Sequence, residues 1–253
     1  MHLFRTRSGQ RSERPARSSR WPGLGAAVIV CCSGWGPPAE ARPTAEARPE
    51  PTARAAPAGL SEAHHGLGRP PEVLPALVLD LQRRFPQHVD GQVVVIDADR
   101  QELLLVEQLE VTDRWPISTA EAGLGGRRDS RQTPPGAHRV ARKIGHGQPT
   151  GTIFRARQAT GRQARVLTAP GARSGKDLVT SRVIWLDGLE PGRNKGGAVD
   201  SLQRLIYIHG TDEEGRLGTP ASLGCIRMRN QDVIELFERV RENTLVFIAP
   251  RLG

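Results

Sequence analysis

Cysteine is scarce in this chain. It holds three in 253 residues, two adjacent at Cys31 and Cys32 and one alone at Cys225. Three leave no room for a disulfide framework, and the lack of CxxC and HExxH spacings argues against a metal site. Aromatic residues make up 4% of the chain, so a core drawn from its 37% of hydrophobic residues has to rest on Val, Leu, Ile and Ala. Long apolar runs are missing too. The run at 23–32 falls well short of the about 20 residues that a bilayer-spanning helix requires. Lysine occurs only at Lys143, Lys176 and Lys195, so nearly all the positive charge is arginine. Formal charge is +9, of which residues 1–41, with six arginines and two glutamates, carry +4. The remaining +5 is spread without a basic run, which suits a polyanionic environment and gives no support to nucleic acid as a partner.

The first forty residues read as an address. A basic stretch ends at Arg20, an apolar run follows, and Ala39-Glu-Ala41 fits the small-x-small pattern of a signal-peptidase site. We expect a signal peptide over 1–41, a mature chain from Arg42, and export to the periplasm or cell envelope without a transmembrane span. A lipid anchor on Cys31 or Cys32 is the rival form of the same signal. Cleavage leaves Cys225 as the sole thiol. Residues 42–71, rich in Pro, Ala, Arg and Glu, have no hydrophobic period and read as a disordered linker. The folded part is expected over 72–253, with its core at about 92–249.

Leu74, Leu77, Val78, Leu81 and Phe85 have helical spacing, and Pro86 ends the segment. From Gln92 the pattern turns to strands. Apolar runs at 93–96 and 103–106 flank a polar turn and predict a hairpin, in which Asp97 and Asp99 serve the backbone rather than a carboxylate pair. Further strands are expected at 109–112, 115–119, 137–140, 152–155, 182–186, 205–209 and 245–249, separated by Gly- and Pro-rich turns. One late helix is expected, capped by Asn230, with Val233, Leu236, Phe237 and Val240 as its apolar stripe. The class is mainly β, in one compact domain.

The chemistry is concentrated in Leu205-Ile-Tyr-Ile-His-Gly-Thr211, a charged loop, and Pro220-Ala-Ser-Leu-Gly-Cys-Ile-Arg-Met-Arg-Asn230. An apolar strand delivers His209 to its end beside Gly210, and Gly224-Cys225 lies just ahead of a helix. A cysteine nucleophile needs a base within reach and backbone N–H groups that can converge on an oxyanion. His209 is placed to take the thiol proton, which would give a thiolate with a pKa below the free value of about 8.5. The Gly210 carbonyl is placed in sequence to orient the imidazole. Tyr207, two residues earlier on the strand, shares a face with His209. It reads as a core-edge tyrosine or a substrate contact. His138 and His146 flank a basic loop and belong to no motif.

Taken together, His209-Gly210, Ser222-Leu-Gly-Cys225, Ile226, Arg227 and the continuation through Met228, Asn230 and Asp232 resemble the signature of the L,D-transpeptidase catalytic domain, also called the YkuD domain. The upstream turn Thr133-Pro-Pro-Gly136 resembles the family as well. One departure is Leu223, where the family usually has histidine. The resemblance implies a β-sandwich domain with a short helix near each end and no cofactor. It implies Cys225 as nucleophile, His209 as base, and the amides of Gly224 and Cys225 facing the oxyanion. Ser222 and Arg227 would shape the turn or hold substrate; a turn hydroxyl and an ion pair to Asp232 or Glu235 are the plainer readings.

The implied reaction is acyl transfer on peptidoglycan peptide stems. Cys225 attacks the amide after the L-centre of diaminopimelate and expels D-alanine. The thioester is then captured by a second stem, by an envelope protein, or by water, which would make the chain a carboxypeptidase. A non-catalytic wall-binding module is the rival outside this class. A papain-like protease would place Cys before His, the reverse of this order. The acids of the intervening loop, Asp212, Glu213 and Glu214, read as a solvated loop or as an attraction for an acceptor amine. No lid-sized insertion is evident beside the motif.

Overall fold

In a computed structural model of the chain, residues 72–88 and 91–252 are described. The expected signal peptide at 1–41 and linker at 42–71 lie outside the described residues. Helix α1 (Leu74–Arg84) comes first, followed by strands β1 (Gln92–Asp97), β2 (Glu102–Glu107), β3 (Glu110–Ser118) and β4 (Gly136–Ile144). Next come β5 (Thr152–Arg155), β6 (Gln158–Gln163), β7 (Val179–Gly188), β8 (Tyr207–Gly210) and β9 (Ile226–Met228). Helix α2 (Asn230–Arg239) and β10 (Leu245–Ala249) complete the order. The strands hydrogen-bond in the order β4-β10-β1-β2-β3-β9-β8-β7-β5-β6, and an additional pairing of β4 with β7 closes eight of them into a ring. The domain is mainly β, a barrel-like sandwich with one short helix near each end, as expected.

Burial on two sides explains the unbroken apolar runs. In β1 and β2, Val94, Ile96, Leu103 and Leu105 enter the main core, where α2 adds Val233, Leu236 and Phe237. Their sequence neighbours Val93, Val95, Leu104 and Val106 point the other way and pack under Leu74, Val78 and Leu81 of α1. A strand buried on both faces has no polar side to show, so alternation disappears. Asp97 works for the backbone as expected, accepting from the amides of Asp99 and Arg100 at 3.0 and 3.1 Å.

Several local expectations are corrected. The strands expected at 109–112 and 115–119 are one strand, β3. It follows a two-residue turn in which Gln108 and Leu109 both have positive φ, 51° and 70°. That is the hairpin turn usually announced by Asn-Gly, and neither residue announces it here. Strands β6 and β9 went unexpected. β6 is exposed along its whole length and carries no apolar signal, while β9 is three residues long. Asn230 is the first residue of α2 rather than its cap. The capping acceptor comes from another element: Glu214 Oε1 receives the Asn230 amide at 2.9 Å.

Candidate active site

The site rests on β8 and β9, which pair in parallel with Ile208 opposite Ile226 and His209 opposite Arg227. Alternation sorts their residues. Ile208, Ile226 and Met228 enter the main core, so Tyr207, His209 and Arg227 face the other side. Cys225, one residue ahead of β9, falls beside Tyr207 on that same side, diagonal to His209. Its half-buried side chain packs against Phe154, Val183 and Tyr207.

His209 is 1% exposed, and its Nδ1 lies 2.7 Å from the carbonyl oxygen of Gly210. A carbonyl only accepts, so Nδ1 carries the proton and Nε2 of the neutral ring keeps its lone pair. Burial lowers the His209 pKa from 6.5; the Gly210 carbonyl and the charges of Asp177 and Asp212 work against that, and Arg227 adds to it. The glycine at 210 is dictated by space. A Cβ there would lie 2.7 Å from Asn230 Oδ1 and 2.8 Å from the Thr180 carbonyl oxygen.

The cysteine turn is held by its own polar groups. Ser222 is 1% exposed. Its hydroxyl donates to the Cys225 carbonyl at 2.5 Å and accepts the Gly224 amide at 3.2 Å. Ser222 is therefore a turn-forming hydroxyl, bonded at both ends of the cysteine turn. In the same geometry the Gly224 amide is committed to Ser222 and has to exchange that partner to serve an oxyanion. Gly224 sits at φ +134°, which an L side chain rarely adopts. Thr133 Oγ1 donates to the Gly224 carbonyl at 3.0 Å and accepts the Ala120 amide at 2.9 Å, which ties the Thr133-Pro-Pro-Gly136 turn to the cysteine.

The thiol itself is turned back toward the strand. Sγ accepts the Tyr207 amide and donates to the Leu205 carbonyl, both at 3.4 Å. Burial pushes the Cys225 pKa up to about 12; the Tyr207 amide and the cations Arg227 and Arg204 offset this only in part, and Asp177 raises it further. Burial thus works against the expected preformed thiolate. The enclosing groups disfavour charge on the thiol and on the imidazole alike.

Arg227 is 3% exposed, with Nε 3.0 Å from Asp177 Oδ1 and Nη1 2.9 Å from Glu213 Oε2. Its guanidinium braces the His209 strand. Glu213 also accepts the amides of Ser174 and Gly175, at 2.6 and 3.2 Å. Burial works to raise its pKa, but these bonds and Arg227 win and hold it at about 2. Both sequence readings of the acidic loop therefore fail. Asp212 and Glu213 are 2% and 3% exposed, and Glu214 is spent on Asn230 at 2.7 Å. Residues 164–178, an irregular connection from β6 to β7, lie against this loop: the Leu167 amide meets the Asp212 carbonyl at 2.7 Å.

Two cavities flank Cys225. One of about 140 Å³ is lined by Phe154, Val179, Val183, Leu205, Tyr207 and Arg157. Tyr207 is 8% exposed, its ring meets Trp185 edge-on at 5.8 Å, and its hydroxyl receives Arg157 Nη1 at 3.5 Å; it is a core-edge tyrosine that also forms a wall. The second cavity, of about 300 Å³, lies beside Leu223 and Ile206. The residues that sequence reasoning missed are Thr133 as an anchor, Asp177, Arg204 and the hub Asn230. Asn230 takes the hydroxyls of Thr180 and Ser181 at 2.6 Å each and donates to the Thr211 carbonyl at 2.7 Å. Thr133 and Asn230 stand in stretches that resemble the family, but the role of each of the four lies in contacts with residues distant in sequence. Among the described residues no group of three or more His, Cys, Asp and Glu is arranged to hold a metal ion.

Comparison with known proteins gives consistent names. The chain is 44% identical over 61 residues to the putative L,D-transpeptidase YkuD of Bacillus licheniformis, covering 24% of this chain and 37% of that one. It is 46% identical over 61 residues to the putative L,D-transpeptidase YkuD of Bacillus subtilis, covering 22% and 37%. The matched region thus spans little more than a third of these curated relatives. Among solved structures, an L,D-transpeptidase from Mycobacterium smegmatis is similar at TM-score 0.38 and 14% identity, over 63% of this chain and 58% of that one. One from Xylanimonas cellulosilytica is similar at TM-score 0.34 and 20% identity, over 63% and 60%. The family model for the L,D-transpeptidase catalytic domain, YkuD, matches residues 91–248, the span that carries the ring of strands, His209 and Cys225, and the chain belongs to that family.

Proposed function

We propose that the chain is a cysteine-dependent L,D-transpeptidase that transfers acyl groups between peptidoglycan stems. One observation carries the reading. His209 and Cys225 share the outer face of two paired strands, and the imidazole is fixed through Nδ1 so that Nε2 is left to accept a proton. Among the described residues, no hydrogen-bond partner occupies Nε2.

The first step starts from a neutral pair. Sγ leaves the Leu205 carbonyl and attacks the carbonyl carbon of the L-centre of diaminopimelate, while His209 Nε2 takes the thiol proton. The imidazolium is favoured by Asp177 and Asp212 and by the Gly210 carbonyl. As the tetrahedral species collapses, the C–N bond breaks and that proton leaves with the amine of D-alanine. An amine then attacks the thioester, His209 takes its proton, and the C–S bond breaks to restore the thiol. Water in place of the amine would give the hydrolytic alternative, and an amine on an envelope protein would give anchoring. The reading further includes export, with a signal peptide at 1–41 and action in the periplasm. N-terminal sequencing of envelope material should begin at Arg42.

Intact mass after incubation with a carbapenem tests the nucleophile: one adduct is expected, absent in Cys225→Ala. No adduct on a folded wild-type chain would favour the binding-module reading. Tetrapeptide-bearing muropeptides test the acceptor. Dimers joined through two diaminopimelates are expected, and tripeptide monomers alone would make the chain a hydrolase.

A further inference from the structure

The cavity beside Leu223 has a composition that the proposed chemistry does not yet use. Its wall carries Arg128, Arg131 and Arg204 against one acid, Asp129. Some arginines elsewhere are matched to carboxylates, as in Arg139 with Asp187, Arg193 with Glu190 and Arg239 with Glu107. Here they are not. Arg204 is anchored by carbonyl oxygens, with Nη1 2.9 Å from Gly126 and Nη2 2.6 Å from Gln132. Its charge is fixed in place without being neutralised. Arg128 reaches the neutral Gln203 Oε1 at 3.0 Å, and Arg131 has no hydrogen-bond or ion-pair partner among the described residues.

The backbone holds this arrangement at some cost. Asp129 and Arg131 both sit in the left-handed region, at φ 60° and 56°. Asp tolerates that conformation, whereas arginine has no short polar group to offset it. The turn is closed by the Ser130 hydroxyl on the Arg127 carbonyl at 2.7 Å, and the Arg131 side chain lines the cavity. Leu223, 53% exposed, supplies an apolar edge two residues before Cys225. A concave space lined by three guanidinium groups and one carboxylate has net positive charge and suits a carboxylate, which arginine can bind through two parallel N–H donors.

We propose that this basic cavity is a carboxylate subsite that reads a free carboxylate of the peptide stem, with Arg131 and Arg128 as its specificity-determining side chains. It rests on the proposed peptidoglycan activity. In a stem whose glutamate carboxylate is amidated, two carboxylates have this chemistry: the C-terminal carboxylate of the departing D-alanine and the one on the D-centre of diaminopimelate.

Binding can be measured without turnover, by calorimetry of the full chain carrying Cys225→Ala with a tetrapeptide stem. Adding Arg128→Gln and Arg131→Gln should weaken binding by about tenfold or more, as expected for loss of charge-assisted hydrogen bonds. The thermal midpoint should not move, since both side chains are exposed. A stem amidated at its C-terminus and one amidated on the diaminopimelate separate the sources. The relevant amide should bind the parent as weakly as the intact stem binds the double variant, and should lose nothing further there. Equal affinity of parent and double variant for the intact stem overturns the subsite alone, as does indifference to both amides. No binding by the parent, together with no carbapenem adduct on the wild type, overturns the functional reading and the subsite with it.

Discussion

Two buried histidines in this domain begin alike and end differently. His138 on β4 and His209 on β8 are 0% and 1% exposed. Each turns Nδ1 to a backbone carbonyl, Gly136 at 3.0 Å and Gly210 at 2.7 Å. Burial lowers the pKa of both. The difference lies at the second nitrogen. His138 Nε2 is closed off by Ser201 Oγ at 2.9 Å, so the ring is a satisfied bridge from β4 to the loop that holds Ser201. His209 Nε2 has no such partner and stands diagonal to a thiol. Burial and a fixed tautomer therefore do not mark a catalytic histidine. What sets His209 apart is an open second nitrogen on a face that carries a thiol.

The sharpest way to break the comparison is to remove each ring in turn. His209→Ala should slow acylation of Cys225 by about 10²–10⁴-fold, the usual contribution of a general base. His138→Ala should leave the rate per folded molecule unchanged. Intact-mass time courses with a carbapenem measure both, and equal losses in the two variants would mean that His209 is structural. The wild-type acylation profile should have its acid limb below pH 6.5, because burial depresses the folded-state pKa of His209.

Next in size is the pH course of thiol alkylation. With the thiol pushed up to about 12, the iodoacetamide rate should keep climbing through pH 9, by about tenfold per unit while the thiolate is the minor form. A plateau near neutrality would restore the preformed thiolate–imidazolium pair.

His138 should show itself in stability instead. Its folded pKa is lowered from 6.5 to about 4. Between those values the unfolded chain binds the proton more readily, so stability is full above pH 6.5 and falls as pH drops toward 4. The loss is on the order of 3 kcal/mol. Denaturant midpoints across that window should fall in the wild type, and the dependence should be reduced in a His138→Ala chain that remains folded. Glu213, held at about 2 against an ordinary 4.5, adds a second loss below pH 4.5.

The smallest expected effect belongs to Leu223→His. The side chain is exposed and touches neither Nε2 nor Sγ through any hydrogen bond, so acylation should change by less than about tenfold, a shift under 1.4 kcal/mol. A wild type that is inert until histidine is restored would reverse the reading of this position.

Much of the site was legible because its signal is local. The strand Tyr207–Gly210, the His-Gly pair and the Gly-Cys turn are contiguous, and alternation alone sends Tyr207 and His209 to one face. The hairpin at β1–β2 was equally plain, since apolar runs and a polar turn are short-range features. What stayed hidden depends on atoms far apart in the chain. Arg227 meets Asp177 fifty residues away. Asn230 spends its amide on Thr180, Ser181 and Thr211 rather than on the helix it opens. Glu213 and Glu214 look like a solvated acidic loop because sequence carries charge and not burial.

The sequence by itself determined that this chain makes a mainly β domain with a histidine at a strand end and a cysteine in a tight glycine turn. The direction of their pKa shifts comes from the tertiary packing. Closing β4 onto β7 and laying 164–178 against the acidic loop are non-local events, and the desolvation of the thiol and imidazole depends on the folded packing around them. A pKa is set by the dielectric and charges around a group. Those surroundings do not exist until the chain has folded, and burial then works against the ion pair that the motif suggests.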